Sequence, residues 1–547
     1  MTKQPWWRGA AIYQIYIRSF CDSNGDGQGD LPGVVSKLDY IRALGVDAVW
    51  LSPMHASPDR DWGYDVSDYD GIHPDYGIQA DFDRLLVEAH ACGLKVITDE
   101  VLAHTSDEHP WFVDSLKRGE KSDWYVWAPP KLDGTAPNNW LSAFGGAAWS
   151  YQPARREYYH HKFLRQQPKL NWRNPAAKAA ALRVLTYWLE RGVDGFRLDV
   201  ANAYFHDESL TDNSAVRMSE RTDAMWSHAP YLQFHHHDSN LPDNIQALDE
   251  IRRTVEHFPE RFVMGEFSED PARCGAFCGP EEGLHSGYSF PLLHAHELGP
   301  GFVHLHYNLL GRFPAHWPSI AFSNHDVPRT VSRFGGREPP PELDKLLLAL
   351  LLSLKGTMLL YQGEELGLPQ ADIHRDRIRD PVGDLYWPYT GGRDGCRTPM
   401  PWDASAPNLG FTSGTPWLPL SPKHRALAVS EQEGKGESPL NFTRRFLAFR
   451  RTSGAMRWGE IAFVDAPPPL LAFTREYDGE KLLCLFNMSQ EATDFTHEFL
   501  TGCEVLPVGP GTSKATGDSI RLAPYAAWFG SCSNASSTAS MGSSTQR

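Results

Sequence analysis

Residues 192–200 read Gly192-Val193-Asp194-Gly195-Phe196-Arg197-Leu198-Asp199-Val200, and the fold turns on this run. A turn at Gly192 leads into a short strand in which Phe196 and Leu198 alternate with Arg197 and Asp199, the period of a strand with one apolar face. Two opposite charges therefore share the other face near the strand's end. An Arg-x-Asp of this kind is either a structural ion pair or a pair aimed into a site. The partners that other strands bring beside it decide between the two.

Working outward, Asn174-Pro175 opens a helical pattern that runs to Arg191 and stops at Gly192, so a helix feeds the strand. The same alternation recurs upstream. Residues 11–20 (AIYQIYIRSF) are β-rich, and Val34, Val35, Leu38, Ile41 and Leu44 then fall at helical spacing. Residues 46–51 (VDAVWL) read as a buried strand, 79–92 as a helix closed by Gly93, and 94–98 (LKVIT) as the next strand. Downstream lie strand-like runs at 261–264, 288–293, 319–323 and 356–361. Eight strands with helices between most of them predict an α/β fold, a (β/α)₈ TIM barrel, which places active groups at the C-terminal ends of its strands.

The barrel is expected over residues 1–104 and 173–458. Between them, 105–172 is far longer than an ordinary βα connection and rich in Trp, Tyr, Pro, Asn and Gly (PNNWLSAFGGAAWS), so it reads as an inserted subdomain B after strand 3. From 459 to 531 the pattern changes to short strands (470–475, 481–487, 525–529), expected to form a C-terminal antiparallel β-sandwich. Residues 532–547 are Ser/Thr-rich and expected to be a disordered tail.

A formal net charge of −16 argues against a nucleic-acid surface, which would need clustered Lys and Arg. The eight cysteines are too dispersed for a disulfide scaffold, and Cys274 and Cys278 have no second pair beside them for zinc. No apolar run reaches signal-peptide or membrane-span length. The expectation is a soluble, cytoplasmic protein without nucleic-acid or membrane partners; its oligomeric state is not legible.

At the strand ends stand Asp99 and His104, then Arg197 and Asp199, then Glu266, then Asn324-His325-Asp326. Acidic groups converging on one mouth repel each other, which raises at least one pKa and can provide an acid and a base at neutral pH. A carboxylate pair is what glycoside hydrolysis requires.

Residues 99–104 (DEVLAH), 195–200 (GFRLDV), 265–267 (GEF) and 323–326 (SNHD) resemble the characteristic segments of the α-amylase family of glycoside hydrolases (family 13), retaining enzymes on a (β/α)₈ barrel. The chain is most similar to the α-glucosidase and oligo-1,6-glucosidase branch, through residues 12–20, 63–69 (GYDVSDY), 104–112 (HTSDEHPWF), 167–171 (QPKLN), 361–367 (YQGEELG) and 393–402 (RDGCRTPMPW). Carried over by position, the resemblance implies Asp199 as nucleophile, Glu266 as general acid and base, and Asp326 as the group that holds the 2- and 3-hydroxyls and stabilises the transition state. Arg197 is implied beside Asp199, keeping it ionised, with His104 and His325 on glucose hydroxyls and Tyr64 as stacking platform. Asp61 and Arg393 would close the pocket around the non-reducing end; Arg397 is the alternative arginine.

The loop 22–30 (DSNGDGQGD) has oxygen side chains at alternate positions and Gly at the sixth place, like the start of an EF-hand, but its twelfth place is Gly33 rather than Glu. The resemblance implies a structural Ca²⁺ (sometimes Mg²⁺) held by the side chains of Asp22, Asn24, Asp26 and Asp30 with the carbonyl of Gln28, and no organic cofactor. Ala103 replaces the Asn of many relatives, which implies loss of the second calcium site of the amylases, and Lys169 replaces the usual Asp of QPDLN-like segments. Val200 accompanies α-1,6 cleavage in relatives, whereas 393–402 and 364–369 (EELGLP) look like α-1,4-preferring α-glucosidases. The expected function is an exo-acting retaining α-glucosidase on maltose- or sucrose-like substrates, with water or a sugar or alcohol as acceptor and with transglucosylation. Its alternatives are an oligo-1,6-glucosidase, a sucrose isomerase or transglucosylase, and, remotely, a non-catalytic barrel like the amino-acid-transporter heavy chains.

Overall fold

In the computed structural model, which describes residues 4–217, 232–268 and 271–532 except 512 and 514, eight parallel strands form one sheet. They are β1 (Ala11–Ile15), β2 (Ala48–Leu51), β3 (Lys95–Glu100), β4 (Gly195–Leu198), β5 (Phe262–Phe267), β6 (Ser286–Ser289), β7 (Ser319–Ala321) and β8 (Thr357–Tyr361). Ladders run without a break from β6 through β5, β4, β3, β2, β1 and β8 to β7. At the remaining seam Ser286 Oγ donates to Trp317 O at 2.7 Å and lies 2.8 Å from Ser319 Oγ. The result is a nearly closed (β/α)₈ barrel.

Strand parity divides the apolar residues into two cores. Ile12, Ala48, Trp50, Ile97, Phe262, Met264, Tyr288 and Leu359 fill the lumen, while their neighbours Tyr13, Val49, Leu51, Val96, Phe196, Leu198, Val263 and Leu360 pack outward against the helices. A parallel sheet buried on both faces needs apolar residues at both parities. Asp99, Arg197 and Glu266 have the lumen parity of Ile97 and Met264, so the pleat aims them inward at the barrel's C-terminal end.

The helix before β4, Pro175–Glu190, is capped by Asn174, whose side chain accepts from Ala176 N and Ala177 N. Its buried stripe of Ala177, Ala181, Val184, Leu185 and Trp188 has the spacing of one helical face. Gly192, at φ 105°, turns the chain into β4 in a conformation that costs a non-glycine residue.

Several boundaries differ from expectation. Residues 31–44 form two helices, Leu31–Val35 and Leu38–Leu44. Strand β1 stops at Ile15 and gives way to a 3₁₀ turn at Ile17–Ser19. The run 288–293 straddles two elements, because Pro291 suits the first turn of the helix Phe290–His294 and lacks the N–H that a strand would need.

Within 105–172 lie the helix Pro110–Leu116 and a small antiparallel sheet of Trp127–Ala128, Trp149–Gln152 and Glu157–His160. Towards the C-terminus a five-stranded antiparallel sheet holds Glu460–Val464, Leu470–Tyr477, Glu480–Asn487, Ala527–Cys532 and Cys503–Leu506, beside a three-stranded one. Cys532, placed in the tail by the sequence reading, closes the last of these strands and pairs with Cys503 in a disulfide; the rest of that tail lies outside the described residues. Among the described residues no helix is long and apolar enough to cross a membrane.

Two buried arginines meet where this sheet adjoins the barrel, Arg475 from the strand Leu470–Tyr477 and Arg450 from the helix Pro439–Thr452. Arg475 donates to Ser353 O (2.5 Å), Leu354 O (2.7 Å), Gly459 O (2.9 Å) and Met456 O (3.1 Å), and Arg450 to Leu352 O (2.8 Å), Met456 O (2.6 Å), Gly356 O (3.1 Å) and Gly9 O (3.2 Å). The helix Leu343–Ser353 ends at this point, and the arginines satisfy carbonyls that a helix C-terminus leaves orphaned. Arg475→Met strips partners from several buried carbonyls at about 1–3 kcal/mol each. It is expected to destabilise the protein by at least about 3 kcal/mol, seen as a lower urea midpoint.

Candidate active site

The lumen-facing charges meet on one guanidinium. Arg197 Nη1 lies 2.7 Å from Asp99 Oδ1 and 2.9 Å from Asp199 Oδ1, and its Nη2 lies 2.6 Å from Glu266 Oε1. Its Nε and Nη2 also donate to the Tyr288 hydroxyl at 3.1 and 3.0 Å, and that hydroxyl donates to Glu266 Oε1 at 3.1 Å. The register explains the convergence: Asp99 lies beside Arg197 on β3 and β4, and Glu266 beside Tyr288 on β5 and β6.

Three carboxyl groups share that single cation, and all are deep in the barrel. Burial pushes Asp99 up to about 7 against the pull of Arg197. Burial also raises Asp199 well above the usual carboxylate range; Arg197 opposes the shift, and Glu266, Asp99 and Asp326 reinforce it. Arg197 is thus the charge that favours the ionised form of Asp199, the form a nucleophilic carboxylate needs.

The chain turns sharply after Asp199. Val200 has φ 45°, a left-handed conformation that is a real outlier for a β-branched residue and costs about 1–3 kcal/mol. The turn directs Val200 N–H at Glu266 Oε2 (3.3 Å), while Ala201 N donates to Glu266 O at 3.0 Å. The strain thus ties the end of β4 to the Glu266 side chain and main chain together.

Asp326 lies on the far side. Its Oδ1 meets Arg397 Nη2 at 2.8 Å and Arg393 Nη1 at 3.2 Å, and its Oδ2 is 3.2 Å from His325 Nε2. Burial works against its charge, but His325, Arg393 and Arg397 hold it well below the usual carboxylate range. The Asp326 side chain is 29% exposed, against 9% for Asp199 and 6% for Glu266, so of the three it offers the most surface to a ligand.

Arg393 also bonds Asp61 Oδ1 through Nη2 at 2.6 Å, making an Asp61–Arg393–Asp326 bridge. Asp380, which the sequence reading did not single out, accepts from Arg393 N (2.5 Å), Nη2 (2.7 Å) and Nε (3.1 Å) and fixes the guanidinium. Asp65 shapes the opposite loop by accepting from Arg60 N (3.0 Å), Asp61 N (2.9 Å) and Ser57 Oγ (3.0 Å). Arg393 and Arg397 therefore both reach Asp326, and only Arg393 also binds Asp61 among the ion pairs of the described residues.

The aromatic and histidine residues are more fully engaged than expected. The Tyr64 ring stacks on His325 (centroids 5.3 Å, 3° between planes), which covers one face of the proposed platform. Its hydroxyl lies 3.1 Å from Asp99 Oδ2 and 2.6 Å from His325 Nε2. His325 Nδ1 lies 2.8 Å from Gln14 Nε2. His104 Nε2 faces the Tyr64 carbonyl at 2.9 Å, and Gln167 Nε2 at 3.3 Å. Gln167 also donates to Asp61 Oδ2 at 3.1 Å, and Trp50 Nε1 donates to Asp99 Oδ2 at 3.1 Å. The branch-like segments 12–20 and 167–171 contain Gln14 and Gln167; nothing local marked Trp50 or Tyr288.

The loop 22–30 spends its side-chain oxygens on its own backbone. Asp22 Oδ1 accepts from Asn24 N (2.9 Å) and Gly25 N (2.7 Å), and its Oδ2 from Gly27 N (2.8 Å) and Thr412 Oγ1. Asn24 Oδ1 accepts from Asp26 N and Asp26 Oδ1 from Gln28 N, both at 2.8 Å, while Asp30 accepts from Ser23 N and Gly33 N. Among the described residues the acidic and histidine groups that crowd closely are instead Asp59, His73 and Asp75, and Arg18 already bonds Asp59 at 2.7 Å and Asp75 at 3.3 Å.

The family profile described as Alpha amylase, catalytic domain, matches residues 14–459. A probable alpha-glucosidase of Rhizobium meliloti (strain 1021) is 49% identical over 502 residues, covering 89% of this chain and 90% of that protein. An oligo-1,6-glucosidase of Parageobacillus thermoglucosidasius is 35% identical over 532 residues, covering 90% and 92%. Among solved structures, the alpha-glucosyl transfer enzyme XgtA matches with a TM-score of 0.93 at 46% identity, covering 97% of this chain and 100% of that one.

Burial lowers the imidazoles of His104 to about 4 and His325 to about 3, so both stay neutral in the folded protein. Their folded values lie below the unfolded one, so the unfolded chain takes up protons first as pH falls from about 6.5. Each histidine then removes about 1.4 kcal/mol of stability per pH unit until its folded value is reached. His325→Gln should reduce the slope of stability between pH 6.5 and 4.5 by about that amount, measured as urea midpoints.

Proposed function

The chain belongs to the α-amylase family, and on that footing we propose that it is an exo-acting, retaining α-glucosidase that releases glucose from short α-glucosides and also transfers it to sugar or alcohol acceptors. The Asp61–Arg393–Asp326 bridge carries this reading. In this reading the 2.6 Å ion pair would close the pocket behind a single terminal glucose and keep a longer chain from extending past it.

In the first half of the reaction Asp199 attacks the anomeric carbon while Glu266 protonates the departing oxygen, and the glycosidic bond breaks as the Asp199–glucosyl ester forms. In the second half the Glu266 carboxylate takes a proton from water or an acceptor hydroxyl, whose oxygen replaces Asp199. Arg197, within 3 Å of both carboxyls, stabilises the negative charge that moves between them. Asp326, held ionised by two arginines, supports the cationic character of the transition state and accepts from ring hydroxyls.

Asp199→Asn is expected to lower kcat/KM on a p-nitrophenyl α-glucoside by at least about 10⁴-fold with unchanged folding. An inactive wild type, or an active Asn variant, overturns the reading. An oligo-1,6-glucosidase is the second reading, favoured by Val200 directly after the nucleophile. Comparing maltose, isomaltose and sucrose separates them, and faster cleavage of isomaltose than maltose would decide for the second.

A cytoplasmic location belongs to this proposal, supported by six free cysteines, five of them buried; the Cys503–Cys532 pair is uncommon in that compartment. A structural Ca²⁺ in the loop 22–30 belongs to it too. Asp22, Asn24, Asp26 and Asp30 with the Gln28 carbonyl would hold it, and an all-oxygen donor set suits a hard cation. Its charge would offset the loop's carboxylates. A chelator should shorten the half-life at raised temperature in the wild type and leave Asp26→Ala unaffected; equal half-lives of the wild type with and without chelator would exclude the ion.

A further inference from the structure

Lys169 is 2% exposed, yet no carboxylate among the described residues pairs with its ammonium. Asp238, the acidic group facing it, is taken by Lys162 Nζ (3.3 Å), His235 Nδ1 (2.9 Å) and Asn213 Nδ2 (3.1 Å). The neighbouring imidazoles are not anionic partners, and burial, which holds His160 far below its ordinary range and His206 at about 3, keeps them neutral. Burial beside Lys162 lowers Lys169 itself to about 7. A buried amine kept at that cost requires a structural reason.

The reason lies in the acceptor it has among the described residues. Lys169 Nζ donates to the carbonyl of Ala203, four residues beyond Asp199. Ala203 N closes the strained turn onto Val200 O at 3.0 Å. The backbone of Lys169 is equally fixed: its N–H donates to His160 O at 2.9 Å, its carbonyl accepts from Val126 N at 3.2 Å, and it bridges to His104. The side chain therefore braces the turn at 199–203 against residues 126–160 of the inserted segment.

Resting on the glucosidase reading above, we propose that Lys169 is a positioning residue, holding the turn at 199–203 through the Ala203 carbonyl so that Val200 N–H stays on the Glu266 carboxyl and the acid remains aligned with the leaving oxygen. Its effect then falls on proton donation rather than on glucose binding.

Leaving groups that need protonation separate this role from a merely structural one. Lys169→Met, which keeps the volume and removes the donor, is expected to lower kcat/KM on the better of maltose and isomaltose by about 10- to 100-fold, mainly through kcat. On α-glucosyl fluoride, which departs with little help from an acid, the loss should stay within about threefold. Lys169→Gln, which keeps a neutral donor, should lose less than Lys169→Met, and it decides the matter if the Met variant does not fold. Equal losses on both substrates, a larger loss for Gln than for Met, or wild-type kinetics in the folded Met variant would overturn the role of Lys169 alone. A wild type inert on both substrates would instead overturn the glucosidase reading.

Discussion

The site depends on one guanidinium. Arg197 contacts Asp99, Asp199 and Glu266 within 3 Å, and it is the only cation inside that ring of ion pairs among the described residues. Two carboxylates about 4 Å apart repel by about 4 kcal/mol even at the effective dielectric of a protein surface. Without the arginine, three could not be buried side by side except as neutral acids. With it, the three acids are held close together and oriented on one cation.

The barrel fixes the contents of that ring. Residues alternating along parallel strands must face either the lumen or the helices, and lumen parity carries Ile97, Met264 and Phe262 in the middle and the charged groups at the top. The core below excludes water and raises the electrostatic stakes above it. The turn at Val200 is a second consequence. It places a β-branched residue at φ 45°, and such strain persists where surrounding contacts over-determine it. Here those contacts are Glu266 on one side and the Lys169–Ala203 brace on the other.

Around this rigid centre the long connections define the pocket. The loop at 57–65, organised by Asp65, presents Asp61 and Tyr64. The loop at 379–397, organised by Asp380 and Asp394, presents Arg393 and Arg397. Their meeting at the Asp61–Arg393 pair couples two segments more than 300 residues apart. Towards the C-terminus, Arg475 fastens the five-stranded sheet to the end of the helix Leu343–Ser353, and Arg450 ties that end to Gly9 and Met456.

The alternating pattern of strands and helices was legible because burial on both faces of a parallel sheet demands apolar runs, and Asn174, Pro175 and Gly192 punctuate the helix before β4. Asp199, Glu266 and Asp326 were marked by strand ends and family motifs, and the structure holds the first two on Arg197 and the third on Arg393 and Arg397. The boundary at 288–293 was misread because an apolar run does not reveal whether strand or helix claims it, and Pro291 was the overlooked cue. Trp50, Tyr288 and Asp380 were silent, since each acts by touching a residue distant in the chain. The barrel and the identity of its charges follow from local periodicity and side-chain chemistry. That one arginine is shared by three acids, that Arg393 rather than Arg397 binds Asp61, and that a buried lysine reaches the turn after Asp199 emerge only in the folded chain. Those facts depend on register, pleat and loop packing, which bring together atoms that no local pattern relates.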